Sequence, residues 1–257
     1  MTWLLFYYII LFVIDIKAKR LKGTTKMKRI IAIGGGDMKE KTTIEIDRYV
    51  ATLAKERAGD KRAYGLFIGT ASHDFMPAFN TFRKTYTSVF DIKADCLLTV
   101  YVDTPEERID EKLSKADFIY IGGGDTGFML EKWREKGLTQ KILSAYERGV
   151  IIVGRSAGAV CWFDTMYTDS ELLNGNEEDY RLYKGLGVLK GTMCPHYNVR
   201  VNDFDKAVLQ NNITSSYAIE DDCALEFIDG KFTKSISSGK KAYELLIKDG
   251  QIIKNEL

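Results

Sequence analysis

Short apolar segments alternate with helical segments of roughly ten or more residues through much of this 257-residue chain. This alternation predicts an α/β fold with a doubly wound, mostly parallel sheet, because short strands separated by helices pair side by side. The predicted strands are Arg29–Ile33, Ala63–Ile68, Leu97–Val102, Phe118–Ile121 and Val150–Val153. The predicted helices are Thr43–Ala58, Pro77–Phe90, Pro105–Lys115, two segments flanking Gly137, and Ala157–Phe163.

Beyond about Ser215 the sequence indicates strands joined by tight turns. Ala218–Phe227, Lys231–Ser237 and Ala242–Ile247 are separated by the turn pairs Asp229-Gly230 and Ser238-Gly239. We expect an antiparallel C-terminal extension of one domain that covers residues 27–257.

The first 26 residues form an apolar and then basic extension that we do not expect to belong to the fold. Trp3–Ile14 is apolar, yet shorter than the roughly 20 residues that span a bilayer. It also lacks the basic start and the small-residue cleavage site of a secretory signal. A disordered or artefactual extension, a docked helix and a membrane anchor all stay open, with no membrane partner expected.

The composition argues against several classes of function. The 37 basic and 36 acidic residues nearly cancel, which disfavours nucleic acid as a partner. Four cysteines without paired spacing favour reduced thiols in the cytoplasm. With only two histidines, a metal site is not expected, and the glycine triplets match neither nucleotide-binding fingerprint, so no cofactor is expected.

The segment Gly154-Arg155-Ser156-Ala157-Gly158 follows the apolar run at Val150–Val153 and precedes a predicted helix. A G-x-S-x-G sequence in this context is typical of a nucleophile elbow, a sharp turn that exposes the serine hydroxyl above the sheet. Ser156 is therefore the candidate nucleophile of a serine hydrolase. The alternative is an ordinary strand-to-helix turn that contains a serine.

A nucleophilic serine needs a base and an orienting acid. His196, after a predicted strand and turn at Leu186–Gly191, is the preferred base, and His73 is the other histidine. The acid stays open, although Asp164 is expected to lie in the helix after Ser156 and to point away. The candidates between the serine and the histidine are Asp164, Asp169, Glu171, Glu177, Glu178 and Asp179; Glu220-Asp221-Asp222 is a further possibility.

Backbone N–H groups should bind the oxyanion that forms when the serine attacks. One candidate donor is Ala157, directly after the serine, and the second lies in Gly122-Gly123-Gly124. The other glycine triplet, Gly34-Gly35-Gly36, is interpreted as a plain tight turn.

Three ordered motifs resemble the S51 serine peptidases, a family that includes aspartyl dipeptidase and cyanophycinase. They are Ile121–Thr126, Gly154–Ala159 and Cys194–Tyr197, and the resemblance extends from about Met27 to the C-terminus. It implies a flavodoxin-like sheet similar to that of class I glutamine amidotransferases. It also implies Ser156 as nucleophile, His196 as base, and Gly124 and Ala157 as oxyanion donors.

For the acid, the resemblance to the peptidase-E-like branch implies Asp169, and an overlay on aspartyl dipeptidase implies Glu171. Two positions depart from the pattern, since Asp125 stands where the family commonly has an asparagine and Arg155 stands where aspartyl dipeptidase has a tryptophan. The implied substrate is a short peptide, with an Asp-X dipeptide as the specific case. Arg155 is then the candidate partner of a substrate carboxylate, and Glu220 that of a free amino group.

The sequence therefore predicts a serine peptidase that acts on short peptides, as a monomer or a homodimer. An α/β-hydrolase esterase is the second enzyme interpretation, although the histidine of that fold normally lies near the chain end. A non-catalytic protein that binds small molecules on the same scaffold is the third.

Overall fold

The computed structural model of the protein describes residues 27–170 and 180–257. The predicted extension at residues 1–26 lies outside these ranges, as do the candidate acids Glu171, Glu177, Glu178 and Asp179. Within the described residues, no helix is both long enough and apolar enough to cross a bilayer.

Thirteen strands and seven α-helices make up the described part of the chain. The strands are β1 Arg29–Ile33, β2 Tyr64–Ile68, β3 Lys93–Leu97, β4 Phe118–Ile121, β5 Ile151–Arg155, β6 Phe163–Thr168, β7 Arg181–Lys184, β8 Leu189–Cys194, β9 Ser216–Ile219, β10 Cys223–Ile228, β11 Lys231–Ser237, β12 Ala242–Lys248 and β13 Gln251–Glu256. The helices are α1 Ile44–Ala58, α2 Met76–Lys84, α3 Glu106–Lys115, α4 Thr126–Glu135, α5 Leu138–Glu147, α6 Ala157–Val160 and α7 Tyr197–Gln210.

The first sheet has the strand order β11-β10-β1-β5-β4-β2-β3. Strands β1 to β5 pair in parallel, and the hairpin β10-β11 extends the sheet antiparallel from β1. The α/β class with a mostly parallel sheet, predicted from the alternating segments, is confirmed. Because β1, β5, β4 and β2 are parallel, their carboxyl ends meet at one edge, where α/β proteins bind ligands.

Helices cover both faces of this sheet because its strands are apolar on both sides. Ile31 and Ile33 of β1 pack with α1 and α2, whereas Ile30 and Ala32 pack with α3, α4 and α5. The alternation follows from the two-residue period of a strand, which sends successive side chains to opposite faces. The sheet is therefore doubly wound.

A second sheet has the order β13-β12-β9-β8-β6-β7, with β6, β8 and β9 parallel and the other pairs antiparallel. Its apolar residues Phe163, Leu189 and Met193 share one core with Leu225 and Phe227 of the first sheet. The predicted C-terminal strands thus divide between two sheets, where a single extension was expected.

One wrong element prediction affects the site. The helix predicted over Ala157–Phe163 ends at Val160, and Phe163 begins strand β6. Asp164 therefore lies in a strand, where its Oδ2 accepts a hydrogen bond from the Gly191 N–H at 3.2 Å. The β-branched and aromatic residues of Phe163–Thr168 favour a strand.

Candidate active site

Ser156 lies in the turn between β5 and α6, at the carboxyl edge of the first sheet. Its backbone angles, φ 52° and ψ −114°, are rarely adopted by residues other than glycine. The flanking glycines make this turn possible, because a Cβ at Gly154 would lie 1.9 Å from the Gly158 carbonyl oxygen, and one at Gly158 would lie 2.3 Å from that of Ile121. The spacing of the motif thus has a steric cause.

The base predicted from the sequence lies next to the serine. His196 follows β8 and precedes α7, with a left-handed φ of 54°. Its backbone N–H donates to the Gly34 carbonyl oxygen at 3.1 Å, which ties the histidine to the end of β1. Its Nε2 lies 2.8 Å from Ser156 Oγ, within hydrogen-bond distance.

The carboxylate that contacts the imidazole belongs to Asp221, in the connection between β9 and β10. His196 Nδ1 lies 2.6 Å from Asp221 Oδ1. An ionised carboxylate only accepts hydrogen bonds, so Nδ1 carries the proton and Nε2 is left to accept the Ser156 hydroxyl proton. The three side chains therefore form a continuous hydrogen-bonded chain from the hydroxyl to the carboxylate.

Asn198 holds Asp221 by two reciprocal hydrogen bonds. Its Nδ2 donates to Asp221 Oδ2 at 3.0 Å, and the Asp221 backbone N–H donates to Asn198 Oδ1 at 2.9 Å. Both carboxylate oxygens of Asp221 are thus engaged, one by His196 and one by Asn198. This pair fixes the carboxylate in the orientation that the imidazole requires.

Asp169, the acid implied by the peptidase-E-like branch, is not the residue at the histidine. Its Oδ2 lies 3.7 Å from Arg200 Nη2, and its side chain is about half exposed. Asp221 occupies the place that the sequence analysis gave to Asp169, and Glu171 lies outside the described residues. The acidic run Glu220-Asp221-Asp222 was the signal for this residue, kept as one possibility.

The surroundings of His196 favour its neutral form. Burial lowers the pKa of the imidazole below its ordinary value, and the nearby Arg200 charge lowers it further; the bond to Asp221 opposes both. A neutral imidazole is the form that accepts a proton from a hydroxyl. Arg200, which sequence reasoning missed, is itself buried against the ring of Tyr180.

The glycine triplet after β4 runs beside the serine. A Cβ at Gly123 would lie 3.2 Å from Ser156 Cβ, whereas one at Gly124 would meet the Ala71 carbonyl oxygen at 2.1 Å. Gly123 is therefore the member whose Cα faces the serine, and Gly124, with φ +139°, turns against Ala71 and Ser72. Ala157, the other predicted donor, is the first residue of α6.

The triplet after β1 packs against the histidine and the acid, so it is more than the plain turn expected. A Cβ at Gly35 would lie 1.8 Å from Asp221 Oδ1 and 2.4 Å from His196 Nδ1. The Gly35 carbonyl oxygen also accepts the Asp222 N–H at 3.3 Å. Gly35 therefore leaves the space in which His196 and Asp221 meet.

Three other predicted residues lie as follows. Arg155 lines a pocket beside Ser156, and its Nη1 donates to the Gly36 carbonyl oxygen at 2.8 Å. The Glu220 carboxylate accepts the Lys241 N–H at 3.0 Å, at the start of β12. His73 is exposed, with its ring centroid 4.0 Å from that of Phe128.

Comparison with known proteins identifies the family. The sequence profile of peptidase family S51 matches residues 30–235, which is most of the chain. The chain belongs to peptidase family S51. The family resemblance noted from the three sequence motifs is thereby confirmed, and the chain is a peptidase by family membership.

Individual S51 relatives agree with this assignment. The chain is 31% identical over 235 residues to the uncharacterized peptidase YgaJ of Bacillus subtilis (strain 168), covering 88% of this chain and 95% of that one. It is 30% identical over 135 residues to peptidase E of Salmonella arizonae (strain ATCC BAA-731 / CDC346-86 / RSK2980), covering 50% and 56% of the two chains. The fold matches that of a peptidase from an acI-B1 Actinobacterium with a TM-score of 0.66 at 16% identity, over 90% of this chain and 98% of that one.

Within residues 27–170 and 180–257, no cluster of three or more His, Cys, Asp or Glu side chains is arranged to hold a metal ion. The polar groups gathered at Ser156 are instead a hydroxyl, an imidazole and a carboxylate. This set can move a proton from the hydroxyl to the imidazole and stabilise the imidazolium that results.

Proposed function

We propose that this S51 family member is a serine peptidase that hydrolyses short peptides. The observation that carries the proposal is the hydrogen-bonded chain Ser156–His196–Asp221, with distances of 2.8 Å and 2.6 Å. Ser156 is the nucleophile, His196 the general base, and Asp221 the acid that orients the imidazole. Asp221 replaces Asp169 in this role.

In the first half of the reaction, Ser156 Oγ attacks the scissile carbonyl carbon while His196 Nε2 takes the hydroxyl proton. The tetrahedral intermediate then collapses, the C–N bond breaks, and His196 returns the proton to the leaving amine. In the second half, water attacks the acyl-enzyme with His196 again as base, which releases the acid and restores the hydroxyl. His196 therefore ends each half of the reaction without the proton that it accepted.

The oxyanion would be bound by backbone N–H groups on two sides of Ser156. We propose the Ala157 N–H at the start of α6 and an N–H of the Gly122–Gly124 segment, with Gly124 as the donor implied by the family. The close approach of Gly123 to Ser156 supports this segment. Loss of one such donor reduces kcat on the order of 10²- to 10³-fold in other serine peptidases.

The experiment that tests the mechanism is labelling of the purified protein with a fluorophosphonate, which reacts only with an activated serine. We expect labelling of wild type and of His73→Gln, and none of Ser156→Ala or His196→Gln. Labelling that survives loss of Ser156, or that needs His73 and not His196, would overturn the assignment. An unlabelled, inactive wild-type protein would favour the non-catalytic alternative.

Two finer expectations accompany this proposal. An Asp-X dipeptide is the substrate that the family resemblance implies, with Arg155 as the candidate partner of its carboxylate. The cytoplasm is the expected location, since Cys96, Cys161, Cys194 and Cys223 are free thiols. Hydrolysis rates of Asp-X and neutral dipeptides, compared at the same leaving residue, test the first.

A further inference from the structure

A pocket of about 630 Å³ opens directly beside Ser156. Gly122, Gly123 and Arg155 form its boundary with the serine, so a substrate whose carbonyl carbon lies at Ser156 Oγ has this space within reach. Its volume lies in the range that holds a drug-sized ligand. An aspartate side chain would leave most of it unfilled.

The inner wall of the pocket is aromatic. Phe67, Phe82 and Tyr120 form a buried cluster at the back of the pocket, with ring centroids 5.3 Å apart for Phe67–Phe82 and 5.5 Å for Phe82–Tyr120, and Pro77 and Ala78 line its more exposed part. Phe75 lines the pocket from its rim and is 58% exposed. This lining favours an apolar side chain, and Phe75 is the ring that a bound side chain can contact.

The charged residues of the lining lie at its boundary with Ser156 and at its edge. Arg155 Nη1 donates to the Gly36 carbonyl oxygen, and the Arg155 charge acts on the buried carboxylate of Asp47 behind the pocket. Asp37 and Lys39 are exposed, and Asp37 Oδ1 accepts the Lys39 backbone N–H at 2.7 Å. The interior is therefore mainly apolar, and its cation, Arg155, lies at the boundary with Ser156.

The strand order shows which part of the substrate this pocket faces. The strands lie side by side in the order β1-β5-β4-β2. Ser156 follows β5, and the His196 N–H binds the residue after β1, whereas the aromatic residues of the pocket belong to β4, β2 and α2. The leaving amine must lie on the His196 side, because that imidazole protonates it. The residue that contributes the scissile carbonyl then lies on the β4 and β2 side, over the pocket.

We propose that this pocket binds an aromatic or other bulky apolar side chain of the residue on the carbonyl side of the cleaved bond. The proposal rests on the serine peptidase function above and specifies its substrate class. The substrate is a short peptide of the form Phe-X or Leu-X, in preference to Asp-X.

Kinetics on dipeptides with a common leaving residue test the preference. We expect kcat/KM to fall in the order Phe-Ala, Leu-Ala, Ala-Ala, with Phe-Ala at least about ten-fold above Ala-Ala and above Asp-Ala, since each buried methylene contributes about ten-fold or more. Equal rates for Phe-Ala and Ala-Ala, or faster hydrolysis of Asp-Ala, would overturn the inference. An N-acetylated tripeptide series with the same cleaved bond applies if the free dipeptides are not cleaved.

A matched pair of variants localises the preference to the pocket. Phe75→Ala should lower the ratio of kcat/KM for Phe-Ala to that for Ala-Ala about three-fold or more, since it removes a contact from an exposed rim. Tyr101→Ala removes a ring that is 78% exposed and does not line this pocket, and it should leave the ratio unchanged. An unchanged ratio in Phe75→Ala would also contradict the inference.

The inference and the proposed function fail in different ways. If Ser156 is labelled by fluorophosphonate and the enzyme prefers Asp-Ala, only the substrate assignment is wrong. If Ser156 is not labelled and no peptide is cleaved, the serine peptidase function itself is wrong. If Ser156 is labelled but no peptide is cleaved, protection of Ser156 by phenylalanine amide and not by aspartate amide supports the pocket, and the reverse contradicts it.

Discussion

Replacing Asp221 by asparagine should abolish most of the activity while leaving the fold intact. The carboxylate accepts from His196 Nδ1 at 2.6 Å and from Asn198 Nδ2 at 3.0 Å. An asparagine has only one side-chain oxygen, so one of these two donors meets an amide NH₂ group. Asn198 cannot turn to accommodate it without losing the bond from the residue 221 N–H to Asn198 Oδ1.

The amide therefore loses a hydrogen bond in either orientation, because its NH₂ group meets either His196 Nδ1 or Asn198 Nδ2. With NH₂ toward Nδ1, the proton moves to Nε2, and the imidazole no longer accepts the Ser156 proton. Loss of tautomer control of this kind lowers kcat by about 10⁴-fold in a serine protease triad. At 1.36 kcal/mol for each factor of ten, this corresponds to about 5 kcal/mol of transition-state stabilisation.

The assay compares kcat/KM of Asp221→Asn with that of Asp169→Asn on the same peptide. The Asp169 side chain is about half exposed, and its Oδ2 lies 3.7 Å from Arg200 Nη2, beyond hydrogen-bond distance, so its variant should retain activity within about five-fold. Thermal unfolding of both variants controls for folding. If Asp169→Asn loses as much activity as Asp221→Asn, the assignment of the acid is refuted.

Three further predictions follow from the same geometry. Ser156→Gly should abolish hydrolysis and raise the free energy of unfolding by about 1 kcal/mol. Glycine relieves the backbone strain at φ 52°, and this gain exceeds the entropic cost of glycine. A lower stability in denaturant titration would contradict this reasoning. The kcat/KM of wild type should fall with decreasing pH through an ionisation below 6.5, because only neutral His196 is a base and its pKa is lowered. In Arg200→Met this ionisation should move to higher pH, because the variant lacks the positive charge that lowers the His196 pKa. A shift to lower pH would refute the role of that charge. Gly35→Ala should prevent fluorophosphonate labelling in a folded protein, because its Cβ would lie 1.8 Å from Asp221 Oδ1, and normal labelling would count against it.

The parallel sheet was predictable because its strands are apolar on both faces and are separated by helices. The prediction was wrong where solvent exposure hides that pattern. Strand β3 is an edge strand at Lys93–Leu97, with polar and half-exposed residues, so the apolar Leu97–Val102 was assigned in its place. The second sheet was missed because β6 was not predicted as a strand: the helix after Ser156 was extended to Phe163, where β6 begins.

Ser156 and His196 were predictable as a pair because the motif is local and the chain has only two histidines. Asp221 was not, because it lies 25 residues beyond His196, where two strands of different sheets meet. No local pattern encodes that meeting. The contact of Gly35 with His196 depends on the same long-range packing.

The site is assembled across the boundary between the two sheets, and this has a consequence for the order of events during synthesis. Ser156 follows β5 of the first sheet, His196 follows β8 of the second, and Asp221 comes later, where the chain returns from β9 to β10. A ribosome therefore delivers the serine first, and the carboxylate that orients its base emerges much later. On the proposed mechanism, a nascent chain stays inert toward neighbouring peptides until the hairpin β10-β11 has joined β1.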